Sequence, residues 1–465
     1  MFVGREEELS FLEDAYASTR AQLVFVYGRR RVGKTELLNE FRKDKPCVFV
    51  AAKEAPATTQ LADFSQQMFA AGAPAGRYLN SYRTWEDALE DIASLPGSTR
   101  KLVIIDEFPY LVRSDASLPS TLQHVWDHLL SQQNVMIILC GSSMSFIEKE
   151  ILNEKNPLYG RVAGLLKLQP LPYWKVARFY PAYSPQQQAE TFAVLGGIPH
   201  YLLQFDPDKT LEENIKAHIL RSGCALYSEP EFLMRQEFRE TAVYNSIVQA
   251  VALGATQLNE ISQKTMLEAG KLSPYIKNLI EVGILEREFP VGIGAQERTK
   301  GRRGLYRIKD NFFRFWYAFV FSYSSALDAH DVQGVWSNAV SPVFNNFASA
   351  PFEGMCQAWL QQKNAAGAIP FYATEIGRWW NGCEIDIMAC DAGRKHAVIA
   401  ECKFKNSAVG SSVLRSLEEK GEQIKPTVLE YYLFSKSGFT DELKERAHDA
   451  DNIHLIDCEE LYSLL

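Results

Sequence analysis

The chain has 465 residues, 23% of them charged, and a formal net charge of −8, which suits two to four domains of an ordinary globular protein at roughly 100–200 residues each. An acidic total excludes a surface that attracts nucleic acid as a whole, so any such contact needs a local basic patch. Eight cysteines without a C-x-x-C pair argue against a zinc framework. Their placement inside apolar runs suits reduced core thiols and a cytoplasmic setting.

The opening MFVGREEEL is charged almost at once, unlike a secretory leader. Within residues 1–170, Leu23 to Tyr27, Pro46 to Ala51, Lys101 to Ile105 and Val135 to Cys140 are short apolar runs separated by amphipathic stretches. That alternation predicts an α/β domain with a parallel sheet covered on both faces. Leu165 to Leu168 is a candidate edge strand. Residues 171–238, broken by Pro172, Pro181 and Pro199, read as a helical lid. Residues 239–310 read as helices closing with a hairpin, the pattern of a winged helix. Ser273-Pro274 is expected to cap a helix that runs to Val282 and stops at Gly283. Residues 311–345 read as a helical linker. Its apolar run, Phe312 to Phe321, is broken by Arg314 and is far shorter than the roughly 20 residues of a membrane span. It therefore predicts a buried helix, and no membrane partner is expected. Residues 346–465 read as a last α/β unit: helix Pro351 to Gln362, strands at 384–389 and 396–404, then helix, strand, helix, strand.

Gly28-Arg29-Arg30-Arg31-Val32-Gly33-Lys34-Thr35 matches G-x-x-x-x-G-K-[ST] between an apolar strand and a helix. Its glycines let backbone N–H groups face phosphate oxygens, Lys34 would reach the β/γ-phosphates of ATP, and the Thr35 hydroxyl would bind Mg²⁺. Lys101-Leu-Val-Ile-Ile-Asp106-Glu107 supplies the complement. Asp106 would hold Mg²⁺ through water, and Glu107 would polarise the attacking water of an ATP hydrolase. Ser142 or Ser143, after the next strand, is placed to sense the γ-phosphate or simply to form a strand-to-helix turn.

Together with Phe2-Val-Gly4-Arg5-Glu-Glu-Glu-Leu9, Pro157-Leu-Tyr-Gly-Arg161 and Gly196-Gly-Ile-Pro-His-Tyr-Leu202, these motifs resemble the archaeal-type ATPase family of the AAA+ and signal-transducing NTPase group. The resemblance spans essentially the whole chain. It implies that Gly4 and Arg5 lie near the adenine and that Arg161 is an arginine finger or sensor, in cis or from a second copy of the chain. A surface ion pair is the alternative for Arg161.

Between Gly292 and Asp310 stand Arg298, Lys300, Arg302, Arg303, Arg307 and Lys309, against only Glu297 and Asp310. With Lys271, Tyr275, Lys277 and Asn278 on the preceding helix, this basic wing could meet a DNA backbone. A solvated hairpin or a domain-packing surface is the alternative.

Glu384-Ile-Asp386-Ile and Ile399-Ala-Glu401-Cys-Lys403 form a second constellation. Two residues apart on a strand, Glu401 and Lys403 point the same way, and a paired preceding strand brings Asp386 to them. Two carboxylates could hold Mg²⁺ or Mn²⁺, with Lys403 stabilising charge at phosphorus. Cys402 would face the core on the opposite side. The pattern resembles the PD-(D/E)XK nuclease superfamily, which implies Glu353 as the helical glutamate beside the metal ligands Asp386 and Glu401. Ile385, where the motif has proline, departs from it. Archaeal-type ATPases often end in an uncharacterised domain of this look. An inactive nuclease-like fold used for docking is the alternative.

Overall fold

The structure is a computed structural model that describes residues 2–97, 99–142, 147, 154, 156–300 and 303–463. Ser143 and Arg302, singled out above, lie outside the described residues, as does the side chain of Lys300. The chain divides into two compact units, Met1–Pro170 with Ile198–His200, and Leu171–Gly197 with Tyr201–Leu465.

In the first unit, strands β1 (Gln22–Gly28), β2 (Cys47–Ala51), β3 (Lys101–Asp106), β4 (Val135–Gly141) and β5 (Gly164–Leu168) form one sheet in the order β2-β3-β4-β1-β5. Every neighbouring pair is parallel. Parallel neighbours need crossover connections, and helices supplying them cover both faces. Hence β4 is buried along its whole length, and β1 everywhere but at Gln22. Leu165 to Leu168 is an edge strand as expected, beside β1. The register sets Ile105 opposite Leu139 and Val26 opposite Cys140, so Asp106, Gly141 and the turn at Gly28 leave the sheet at one end. In open α/β sheets that end is where ligands bind.

The second unit contains the helices Thr241–Ala252, Leu258–Thr265 and Ala269–Glu281, followed by the antiparallel pair β6 (Leu285–Glu288) and β7 (Leu305–Ile308). The third helix starts four residues before the expected Ser273 cap and carries Pro274 inside it. Its buried stripe of Leu272, Ile276 and Leu279 begins ahead of the proline, and burying Leu272 outweighs one missing backbone bond. The stop at Gly283 is as expected. Gly283 has φ 80°, and Ile284 N–H bonds back to Leu279 O at 2.9 Å.

Strands β8 (Glu375–Asn381), β9 (Cys383–Cys390), β10 (His396–Lys403), β11 (Val428–Ser435) and β12 (Ile453–Asp457) build a mixed sheet in the order β12-β11-β10-β9-β8. β8, β9 and β10 pair antiparallel, while β10, β11 and β12 pair parallel. Alternate side chains of β10 serve two cores. Val398, Ala400 and Cys402 pack with Phe352, Met355 and Trp359 of the Phe344–Ala365 helix. Ala397 and Ile399 pack with Leu414, Leu417 and Leu443 on the other face. The Phe344–Ala365 helix begins seven residues before the expected Pro351, which is buried inside it.

One further expectation changes. Part of the presumed lid belongs to this core: Ala189 and Ala193 pack in it, and the Tyr173 hydroxyl donates to Leu461 O at 2.8 Å. Within the helical linker, Phe312, Phe313 and Phe315 are fully buried, as expected of the apolar run. Among the described residues no helix is long and apolar enough to cross a membrane.

Candidate functional site

The loop from Gly28 to Lys34 curls because two glycines take backbone conformations that L side chains resist. Gly33 has φ 95°, and a Cβ on Gly28 would stand 2.6 Å from Leu168 O. The loop closes around Lys34, whose buried ammonium donates to Gly28 O and Arg29 O, both at 3.0 Å. Burial lowers the Lys34 pKa, against the opposing pull of Cys140, Glu107 and Asp106. The ammonium thus lies against loop carbonyls with the Glu107 and Asp106 carboxylates nearby.

The Thr35 hydroxyl, at the start of the following helix, donates to Asp106 Oδ2 at 2.8 Å. Asp106 Oδ1 accepts the Glu107 N–H at 2.9 Å. Hydroxyl and carboxylate therefore meet at one point, with the oxygen chemistry of a magnesium site. Glu107 itself has φ 53°, a left-handed conformation uncommon outside glycine, asparagine and aspartate. That turn projects its carboxylate away from Asp106 and toward the tip of β4, where the Ser142 hydroxyl donates to Oε2 at 2.9 Å. This ties Ser142 to the acidic pair.

Arg5 is buried, and its Nη2 donates to Val32 O at 2.9 Å and Gln169 O at 2.8 Å, while Nη1 pairs with Glu8 at 2.7 Å. It braces the N-terminal helix against the phosphate loop. Gly4 beside it has φ 77°. Arg29 is buried, and Arg30 reaches the Tyr110 hydroxyl at 3.5 Å. Arg31 takes φ 69°. Arg161 forms the ion-pair alternative in this conformation, with Nη2 on Asp127 Oδ2 at 2.8 Å and Nη1 on the carbonyls of Pro157 and Tyr159.

One contributor was not foreseen as a site residue. Pro199 Cγ lies 3.7 Å from where a Cβ on Gly33 would stand. His200, beside it, is lowered in pKa by burial and by the Arg31 charge. The Gly-Gly-Ile-Pro-His run carried that signal, but only as part of a family signature.

In the second unit, β9 and β10 pair Ile387 with Ala400, which sets Asp386 across from Glu401 on the face that also bears Lys403. Asp386 Oδ2 accepts the Cys402 N–H at 2.8 Å. Cys402 points into the core as expected. Glu401 Oε1 accepts Lys403, and Oε2 accepts Lys420 at 2.7 Å. Burial and the Glu401 charge push Asp386 up to about 6. Burial and the Asp386 charge push Glu353 up to about 8. The expected trio of ligands is not drawn together: among the described residues no three His, Cys, Asp or Glu side chains form a metal-holding group. Glu353 instead lies 3.7 Å from Arg378 on β8, an edge strand missed in the sequence, and Arg378 also holds Glu384.

The basic wing is partly neutralised. Arg307 pairs with Glu288 at 3.0 Å and Arg298 with Glu375 at 3.7 Å. Tyr275 and Asn278 are spent on Glu240 and Tyr244. Lys277, Arg303 and Lys309 remain exposed.

The family of ATPase domains found predominantly in Archaea matches residues 2–205. A family of archaeal and bacterial proteins of unknown function matches residues 316–420. An uncharacterized protein of Methanocaldococcus jannaschii is 31% identical over 408 residues, 87% of this chain and 88% of its own length. An uncharacterized ATP-binding protein of the same organism is 53% identical over 45 residues, 10% of this chain and 76% of its own. Among solved structures, a Walker-type ATPase of Pyrococcus abyssi superposes with a TM-score of 0.50 at 20% identity, covering 68% of this chain and 96% of its own. That likeness supports the P-loop NTPase fold. With a phosphate loop, an acidic strand tip and a near-full-length relative in hand, the chain belongs to the archaeal ATPase-domain family and is an ATP-binding NTPase.

Proposed function

We propose that the protein hydrolyses ATP with Mg²⁺ at the phosphate loop and uses the nucleotide state to control metal-dependent DNA cleavage by its C-terminal domain. Thr35 and Asp106 would hold Mg²⁺, which neutralises phosphate charge when bound, while Glu107 takes the proton of the attacking water. Ser142 holds Glu107 at 2.9 Å, so it either orients that base or must release it. The DNA-cleaving half rests on one observation, the juxtaposition of Asp386, Glu401 and Lys403 on adjoining strands. Burial first, and then the Glu401 charge, raise Asp386, an electrostatic setting that a divalent cation, Mg²⁺ or Mn²⁺, relieves. The helix sequence, mixed sheet and motif order support the PD-(D/E)XK reading. The three helices and the β6–β7 hairpin support a winged helix that offers Lys277, Arg303 and Lys309 to a phosphate backbone. A second copy of the chain would supply Arg161 once Asp127 releases it.

A second reading is favoured by the lysines on both Glu401 oxygens and by Arg378 beside Glu353. There the acidic cluster is already neutralised, the domain only docks, and ATP switches assembly. Parallel assays of ATP hydrolysis with Glu107→Gln and of DNA cleavage with Lys403→Ala test the first reading. Loss of each activity in its own variant supports it. Variants indistinguishable from the parent in both assays defeat it.

A further inference from the structure

Beside the β6–β7 hairpin, wholly within the second unit, lies a cavity of about 520 Å³. Its walls come from β7, from the start of the helix at Asn311, and from the small side of the Phe344–Ala365 helix around Ala350 and Gly354. The volume falls in the range of small-ligand sites. Four charged side chains line it: Arg307, Lys309 and Arg314 against Glu286. The cations outnumber the acid.

Arg314 is the informative one. Its guanidinium lies over the Phe347 ring, 4.7 Å from the centroid. Among the described residues it has no carboxylate in ion-pair contact. Burial lowers its pKa to about 10, which still leaves it cationic at neutral pH. Arg307 pairs with Glu288 at 3.0 Å. Lys309 stands exposed at the end of β7. A half-buried guanidinium that feels the Glu353 charge but touches no carboxylate still has donors to satisfy. Its planar fork of donors matches phosphate oxygens better than any other common anion class except carboxylate. A cavity large enough for a nucleotide-sized group, with cations on two walls, makes phosphate the better fit.

We propose that this cavity is a second phosphate-recognition site, taking the phosphate group of a nucleotide-sized ligand, with Arg314 and Arg307 as anchors and Lys309 at its rim. It is separate from the phosphate loop, which lies in the other unit, and it does not depend on whether the acidic cluster cleaves DNA. The phosphate can come from a free mononucleotide or from the end of a nucleic-acid strand, and both present the same group to Arg314.

The test is calorimetric titration of the full chain carrying Lys34→Ala, which silences the phosphate loop. The probes are adenosine monophosphate and a short oligonucleotide with either a 5′-phosphate or a 5′-hydroxyl. Binding of at least one phosphorylated probe, weakened about tenfold or more by Arg314→Met, supports the site. Lys309→Ala changes an exposed side chain and is expected to weaken the same binding by a smaller factor. It carries the test if Arg314→Met fails to fold. Preference for the mononucleotide marks a free nucleotide as the source; preference for the 5′-phosphorylated strand over the 5′-hydroxyl one marks a strand end. No heat from any phosphorylated probe up to about 5 mM, or binding unmoved by both substitutions, overturns the proposal.

Discussion

Glu353→Gln isolates the electrostatics of the C-terminal acids. Burial first, and then the Asp386 charge, raise this carboxyl from its ordinary value of 4.5 to about 8. A carboxyl whose folded pKa lies above its unfolded one adds stability that is fully present below the unfolded pKa. That stability is lost as pH rises through the folded pKa, so the loss falls between pH 4.5 and pH 8. Between pH 5.5 and pH 8.5 the unfolded group gains ionisation free energy over nearly the whole interval, and the folded group only near its top. The difference is ~3 kcal/mol at about 1.4 kcal/mol per pH unit. Glutamine has the same shape and no charge, so the variant should escape this penalty. Scanning calorimetry of the full chain should show the transition of the C-terminal unit dropping further in the parent than in Glu353→Gln across that interval. The expected excess is about 6–12 °C, from roughly 2–4 °C per kcal/mol for a unit of this size. Equal drops in both proteins would refute the reasoning, because Glu353 would then be ionised at little cost.

Four further outcomes follow from the first unit. Glu107→Gln should keep ATP binding and lose hydrolysis by about a hundredfold or more in single-turnover assays; Ser142→Ala should shift the rate without abolishing it, since the serine touches only the carboxylate. Gly28→Ala should abolish nucleotide binding measured by fluorescence titration, because its Cβ would strike Leu168 O and the strained φ resists a side chain. Arg161→Ala should leave the melting temperature nearly unchanged, since an exposed ion pair contributes little. Turnover per molecule that rises with protein concentration in the parent but not in Arg161→Ala would point to its use by a neighbouring copy.

The phosphate loop and the strand tip at Asp106 were legible because their chemistry is local: the glycines, Lys34, Thr35 and the two acids lie on short segments whose spacing sets their geometry. The parallel sheet was legible for the same reason, as continuous apolar runs. An ion pair for Arg161 was among the alternatives, but its partner, like those of Arg5, was not legible, because a guanidinium settles on whichever carbonyls and carboxylates tertiary structure brings near, here Asp127 and Gln169 O. The starts at Ser273 and Pro351 were misplaced because proline was read as a boundary, whereas the buried faces of Leu272 and Phe347 extend each helix ahead of it. The acids of β9 and β10 were legible as a cross-strand pair. Their neutralisers, Lys420 and Arg378, were not, since one arrives from a helix 19 residues on and the other from an edge strand with weak alternation. The basic wing was overread for a related reason. A window count of charge saw Glu297 and Asp310 but not Glu288 and Glu375, which reach in from outside it.

The most direct test of an ATP-controlled nuclease is incubation of the purified protein with supercoiled and linear DNA and Mg²⁺ or Mn²⁺, with and without ATP, alongside Asp386→Ala. The account predicts cleavage that requires the metal, responds to ATP and disappears in the variant. Intact DNA under every condition, or cleavage undiminished by Asp386→Ala, would contradict it.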